Sequence, residues 1–448
     1  MKINPSIFKS YDIRGIYPAE INGEVAYSIG RAIVKFLKKS APRLVVSRDN
    51  RLSSPEIHQG LVAGLTDSGA DITDLGLATT PMLYWTSAFY AFDGGISITA
   101  SHNPPNYNGL KIIKGQSLPV GAGSGLEEIR DLILKDKLGP IKKGKIEKKD
   151  ILAEYINFNL KGFKKKDVSP VKIVFDFANA VPSILLPKLK ENIKGKIYSL
   201  FSELDGNFPN HLANPLLPEN LISLQKEVKK KKADLGVAFD GDGDRIIFVD
   251  EKGEMVSPGL IIALMARPIL EKNPGAKILY DLRCSNIIHE TVEKLGGIPL
   301  INRVGHTFIK DRMRREDIIF GGESAGHYYH KDHFFWEAPL FVLFTLLREM
   351  SVQNKSLSQL ISPFKVYYHS GELNFSVQNK EQVLKEIEKK YSDGKISKMD
   401  GLRIDFKDWW FNIRGSNTEP LLRLAVEAKT EKMLKEKIKS LSEIIKRN

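Results

Sequence analysis

Short runs of β-branched and apolar residues that end in polar or charged loops recur along this chain. Three of them, Arg43–Ser47, Val171–Asp176 and Ala276–Asp281, each predict a buried strand. A helix-like stretch follows each, for example Ser54 to Ser68 and Asn286 to Leu295, and then a second strand at Asp71–Leu75, Gly195–Leu200 or Gly297–Ile301. A further helical stretch leads to a third strand at Gly95–Thr99, Asp234–Phe239 or Asp317–Phe320. A β-α-β-α-β unit is therefore expected three times. Apolar strands alternating with helices predict mostly parallel sheets, whose ligands bind beyond the carboxyl ends of the strands. Each third strand runs directly into the most unusual loop of its unit. These loops are Thr99-Ala-Ser-His-Asn-Pro104, Asp240-Gly-Asp-Gly-Asp-Arg245 and Gly321-Gly-Glu-Ser-Ala-Gly-His327, and they are expected to converge on one cleft.

After about residue 363 the pattern changes. Strand-like Trp409–Ile413, a polar turn Arg414–Pro420 and strand-like Leu421–Glu427 lead to a final helix. In that helix Leu434, Ile438, Leu441 and Ile445 share one apolar face. The expected fold class is α/β: three topologically similar mixed α/β domains plus a C-terminal α+β domain. The expected boundaries are 1–150, 151–252, 253–362 and 363–448. A chain of 448 residues suits this division, because single cores stop growing at about 250–300 residues.

Composition narrows the function classes. With 42% hydrophobic and 27% charged residues, the chain is an ordinary globular protein rather than a disordered one. Its lone Cys284 cannot form an internal disulfide, which fits a reducing cytoplasm. The N-terminal residues lack the apolar core of a secretion signal. The longest apolar run, Pro339 to Leu347, falls far short of the about 18 residues needed to span a bilayer. No membrane partner is expected. The net charge of +13 calls for an anionic partner, nucleic acid or small phosphate compounds. The lysine runs Lys142–Lys149, Lys164–Lys166 and Lys229–Lys232 carry no interleaved aromatics, and one cysteine allows no zinc finger. The expectation is a solvated lysine-rich surface and no nucleic-acid partner.

The loops carry the chemistry. Asp240, Asp242 and Asp244 alternate with glycines that let all three carboxylates face one point. Such crowding repels unless a hard divalent cation sits among them, and Mg²⁺ is the expected ion. An EF-hand is excluded, because Arg245 stands at the loop position that requires glycine and both flanks read as strands. Ser101 lies at a strand end without the G-x-S-x-G context of hydrolases, so it is a candidate to carry a phosphoryl group and give a metal oxygen. His102 and Asn103 would hydrogen-bond around it, and Lys111 brings a cation. Arg414, Ser416, Asn417 and Thr418 combine a guanidinium fork with neutral donors, the groups that hold a phosphate. Glu323 suits a sugar hydroxyl, and His306 in Val304-Gly-His306 titrates near neutrality. His58 and His211 read as structural. Arg14 reads as lying in an N-terminal loop. Gly121–Gly125 lacks the strand and acidic partner of a dinucleotide fingerprint and reads as a flexible loop.

Together, from Tyr11 to Arg423, these motifs resemble the α-D-phosphohexomutase superfamily, and most closely its phosphomannomutase/phosphoglucomutase branch. The resemblance implies four domains around a central cleft: a phosphoserine domain, a metal-binding domain, a sugar-recognition domain and a C-terminal phosphate-binding domain. It further implies that Ser101 carries a phosphoryl group, with Asp240, Asp242, Asp244 and a phosphoserine oxygen holding Mg²⁺. Hexose 1-phosphate and hexose 6-phosphate would interconvert through a hexose 1,6-bisphosphate that turns around in the cleft, with glucose 1,6-bisphosphate as activator. Lys111 and His306 would serve as general acid and base, His102 would support them, and Arg14 and Arg245 would be electrostatic partners. Gly305, Glu323, Ala325 and His327 would meet the sugar, while Arg414, Ser416, Asn417 and Thr418 grip the phosphate that is not reacting. A monomer or weak dimer is expected.

Three departures from the family pattern bear on sugar preference: Ala325 in place of a common serine, Pro258-Gly-Leu-Ile in place of Pro-Asp-Arg-Leu, and Glu337-Ala-Pro in place of an acidic pair and a small residue. The alternatives are the same chemistry on another sugar phosphate, for example glucosamine phosphate, and a non-catalytic phosphosugar-binding protein.

Overall fold

A computed structural model describes residues 3–135, 138–139, 142–165, 168–415 and 421–447. The chain divides into two compact units, Met1–Val256 with Ala325–Ser358 and Ser257–Ser324 with Gln359–Asn448.

In the first unit, the strand Arg43–Arg48 lies between Asp71–Leu77 and Gly94–Ile98, parallel to both. Leu44, Val45 and Val46 are fully buried, as expected for a strand covered on both faces. Beyond Gly94–Ile98 come two antiparallel strands, Tyr107–Lys114 and the edge strand Ile13–Ile16. The opposite edge adds Ile146–Lys148, parallel to Asp71–Leu77. A second sheet repeats the plan. Val171–Asp176 sits between Gly195–Leu200 and Leu235–Phe239, parallel to both, and Ile246–Asp250 returns antiparallel. The unit also holds the hairpin strands Tyr328–His330 and Trp336–Glu337.

The second unit shows the plan again, with Lys277–Asp281 between Ile298–Asn302 and Phe320–Gly322, all parallel. Its other sheet is fully antiparallel, in the order Tyr368–Ser376, Leu421–Ala428, Trp409–Gly415, Leu402–Asp405, Lys395–Ser397. The helix Glu431–Arg447 buries Leu434, Leu441, Ile444 and Ile445 into the core of this sheet, with Ile438 partly buried beside them. This is the apolar face expected from the sequence.

All three repeats thus place their first strand between the second and third, a mixed α/β arrangement that matches the expected fold class. Two expectations need correction. Arg14 lies in the edge strand Ile13–Ile16 and not in a loop. Four edge residues hold too few apolar positions for a period to be read. The third strand of the last repeat is Phe320–Gly322 rather than Asp317–Phe320; Asp317 takes φ 51° in the preceding turn.

Candidate active site

Ser101 follows the buried strand Gly94–Ile98 and takes a left-handed φ of 51°, which turns its side chain off the strand end. Its amide donates to Thr99 Oγ1 at 2.8 Å. A side chain that the sequence reading missed holds this loop. Arg51, 1% exposed, donates to four of its carbonyls: Ser101 (2.8 Å), Asn103 (2.7 Å), Pro104 (2.7 Å) and Tyr107 (3.1 Å). Its Nε is anchored on Asp49 at 3.1 Å. The only signal in sequence was a charged pair just past a strand end.

Opposite lies Asp240-Gly-Asp-Gly-Asp-Arg245, between the strands Leu235–Phe239 and Ile246–Asp250. Gly241 is required here, because a Cβ would come 2.2 Å from the Ser101 carbonyl. Gly243 takes φ 74°, so the three aspartates turn to one side. Their carboxylates are buried and offer oxygens all within 4.8 Å of one another. Ser101 Oγ donates to Asp240 Oδ2 at 2.8 Å and lies 3.0 Å from His102 Nδ1. Lys111 Nζ bridges Asp242 and Asp244 at 2.6 Å each. Thr80, also missed from sequence, donates its hydroxyl to Asp242 Oδ2 at 2.5 Å.

The electrostatics follow from this crowding. Burial, together with Asp244 and Asp242, pushes the Asp240 carboxyl well above its usual range. Burial would lower the Lys111 ammonium, but Asp242 and Asp244 outweigh it and raise it well above normal. Burial, with Arg245 and Arg14 nearby, holds the His102 imidazole well below its usual range. Arg14 donates to Asn103 Oδ1 at 2.6 Å and pairs with Asp12. The Arg245 amide reaches Asp240 Oδ1 at 3.2 Å, and its Nε donates to His327 Nε2 at 3.1 Å. His327 Nδ1 lies 3.6 Å from Asp244 and 4.0 Å from Glu337.

The donor set suits a hard divalent cation, being three carboxylates with a serine hydroxyl at their edge. Asp242 Oδ1 is buried and has no hydrogen-bond partner among the described residues, an orphan that a cation would satisfy. Mg²⁺ fits these residues.

In the second unit, His306 opens the helix His306–Arg315, and the fully buried Lys310 places its amine 3.1 Å from His306 Nδ1. The Gly305 amide donates to Glu323 Oε2 at 3.3 Å. Ser324 commits both its amide (2.7 Å) and its hydroxyl (3.0 Å) to Asp281. Glu372 gathers three guanidiniums, from Arg414 (2.9 Å), Arg423 (3.0 Å) and Arg283 (3.3 Å). The sequence reading found Arg414 but missed Glu372 and Arg283. Ser416, Asn417 and Thr418 lie outside the described residues. Ala325 and His327 belong to the first unit, His327 beside Arg245 and Ala325 in the preceding turn. Pro258 opens the helix Pro258–Lys272. His58 and His211 pair with Asp74 (3.0 Å) and Asp176 (3.1 Å), in keeping with structural roles.

Four successive segments match the phosphoglucomutase/phosphomannomutase domain families: alpha/beta/alpha domain I over residues 5–139, II over 151–253, III over 258–367, and the C-terminal domain over 372–442. The chain belongs to the phosphoglucomutase/phosphomannomutase family. It is 39% identical to a phosphomannomutase of Methanocaldococcus jannaschii, covering 98% of this chain and 97% of that protein. It is 37% identical to one of Vibrio cholerae, covering 98% of each. A crystal structure of a family member from Burkholderia thailandensis superposes with a TM-score of 0.91 at 31% identity, covering 100% of this chain and 98% of that one. Membership makes the protein an enzyme of the phosphotransferase-type isomerases. Among the described residues no helix is long and apolar enough to cross a membrane.

Proposed function

We propose that this enzyme interconverts hexose 1-phosphates and hexose 6-phosphates, on mannose, glucose or both, through a phosphoryl group carried on Ser101. The observation that carries the reading is the hydrogen bond from Ser101 Oγ to Asp240 at the edge of a buried aspartate triad bridged by Lys111. A hydroxyl so placed serves as phosphoryl donor and acceptor beside a ready set of metal oxygens. Asp240, Asp242, Asp244 and an oxygen of phosphorylated Ser101 would hold Mg²⁺, which when bound offsets charge on the transferring group.

The chain's own residues do the rest. The free hydroxyl of the hexose phosphate attacks the phosphoryl of phosphoserine, its O–P bond forming as the Ser101 Oγ–P bond breaks, and the hydroxyl's proton passes to Ser101 Oγ. The resulting hexose 1,6-bisphosphate turns around and returns its other phosphoryl to Ser101, whose proton passes to the departing sugar oxygen. Lys111, held as an ammonium by two carboxylates, acts as proton donor and charge partner, and His306 is assigned to proton transfer. Arg14 and Arg245 flank the serine loop as electrostatic partners, with His102 hydrogen-bonded to Ser101. Arg414, with Ser416, Asn417 and Thr418, grips the distal phosphate, and Gly305, Glu323, Ala325 and His327 meet the sugar. Residues 1–150, 151–252, 253–362 and 363–448 are assigned phosphoserine, metal, sugar and distal-phosphate roles. Glucose 1,6-bisphosphate would load Ser101, and the cytoplasm is the site of action.

One observation favours a shifted sugar as the second reading. Ser324 spends its hydroxyl on Asp281, so it does not replace the hydroxyl absent at Ala325. ³¹P NMR with Mg²⁺, a trace of glucose 1,6-bisphosphate, and mannose 1-phosphate or glucose 1-phosphate tests the proposal. A growing hexose 6-phosphate signal supports it, and the two rates rank the sugars. Ser101→Ala should abolish conversion while leaving the fold intact; full activity in that variant removes the phosphoserine assignment.

A further inference from the structure

Apart from the aspartate triad and the serine loop, the first unit contains a cavity of about 650 Å³, within the range that holds small organic ligands. It opens at the carboxyl ends of three adjacent parallel strands, Arg43–Arg48, Asp71–Leu77 and Ile146–Lys148. That end of a parallel sheet is where α/β folds bind ligands. The serine loop follows a different strand of the same sheet, Gly94–Ile98.

The charges lining the cavity are unevenly matched. Asp74 accepts from His58 Nε2 at 3.0 Å and from the Gly76 amide at 2.9 Å. Asp150 accepts from the Leu152 amide at 2.9 Å. Both carboxylates are therefore engaged locally. Lys149 lies 3.6 Å over the Tyr90 ring and 3.9 Å from Glu154. Arg48 and Lys148 remain. Among the described residues neither comes within 4 Å of a carboxylate, although Lys148 is near enough to help lower Asp74, and the guanidinium of Arg48 donates only to the Asp49 carbonyl, at 3.3 Å. The strand Asp71–Leu77 separates the two strands that carry them, about 10 Å in all. Two long side chains at that spacing suit a diphosphate rather than a single carboxylate. The rest of the wall is apolar, including Leu77, Met82 and Ile184.

We propose that this cavity is a second ligand site, for an organic diphosphate of nucleotide size. Its phosphates lie on Arg48 and Lys148, and its flat or apolar body lies against Met82 and Ile184.

Isothermal titration of the full chain with ADP as probe tests this. Saturable binding at one site per chain is expected, weakened at least about tenfold in Arg48→Met/Lys148→Gln. Lys148→Glu, at an exposed position on an edge strand, should weaken binding by itself without changing the melting temperature, which guards against a double variant that fails to fold. Asp242→Asn should leave ADP affinity unchanged, whatever its effect on catalysis. Absence of saturable binding, equal affinity in both cation variants, or loss of binding in Asp242→Asn would each overturn the proposal.

Discussion

Lys111 and Thr80 both hold Asp242 by its Oδ2, while its buried Oδ1 has no hydrogen-bond partner among the described residues. Asp242→Asn keeps the shape and removes the charge, so the Mg²⁺ concentration for half-maximal rate should rise at least about tenfold as the rate falls. An unchanged magnesium response would take Asp242 out of the metal site. A different residue contributes to the acid sensitivity of the fold. His333 is buried, and its Nε2 faces Asn159 Oδ1 at 3.1 Å. Burial, then His330 and Lys161, lowers its imidazole to about 3. The unfolded chain therefore binds the extra proton between about pH 6.5 and 3. The stabilising effect of a neutral His333 is complete above that window and is lost as pH falls through it. His333→Gln should flatten the decline of unfolding free energy between pH 6 and 4 by about 1.4 kcal/mol per pH unit. Identical slopes in urea titrations of variant and parent would show that His333 is not the group being protonated.

At the scale of elements, the helices Gly23–Leu37 and Ser54–Thr66 meet backbone to backbone. A Cβ on Gly60 would lie 2.0 Å from the Gly23 carbonyl oxygen, and one on Gly64 would lie 2.0 Å from that of Tyr27. Glycine at a four-residue spacing allows this approach. Gly64→Ala should force the pair apart at a cost of about 3 kcal/mol, seen as a lower urea midpoint. A midpoint equal to the parent's would mean the helices separate freely. Elements were also where pattern reading worked best. Leu44, Val45 and Val46 gave a buried strand because both faces of a parallel sheet are covered, and the final helix showed its apolar face in four residues. The antiparallel strands Tyr107–Lys114 and Ile13–Ile16 stayed hidden. One reads as the tail of a polar loop, and the other is four residues long.

At the scale of the whole molecule, the charge of +13 is the property most open to misreading. It is carried on dispersed lysines, many of them locally paired, as Lys143 is with Asp67 and Lys188 with Glu191. Retention on a labelled DNA duplex should therefore vanish by about 150 mM salt. Tight binding that persists at that salt would restore nucleic acid as a partner.

The sequence by itself determined the repeat, the strand ends and the chemical character of the loops. Alternation and residue type are local properties, and Asp240-Gly-Asp-Gly-Asp carries its own turn geometry. Tertiary structure decided which groups meet. Arg51 serves the serine loop through carbonyl contacts spread over seven residues, Thr80 reaches Asp242 across 162 positions, and Glu372 gathers arginines from three strand ends or loops. Such contacts leave no periodicity and no motif. Hydrogen bonds and ion pairs act over about 3 Å, and only folding brings distant residues to that distance.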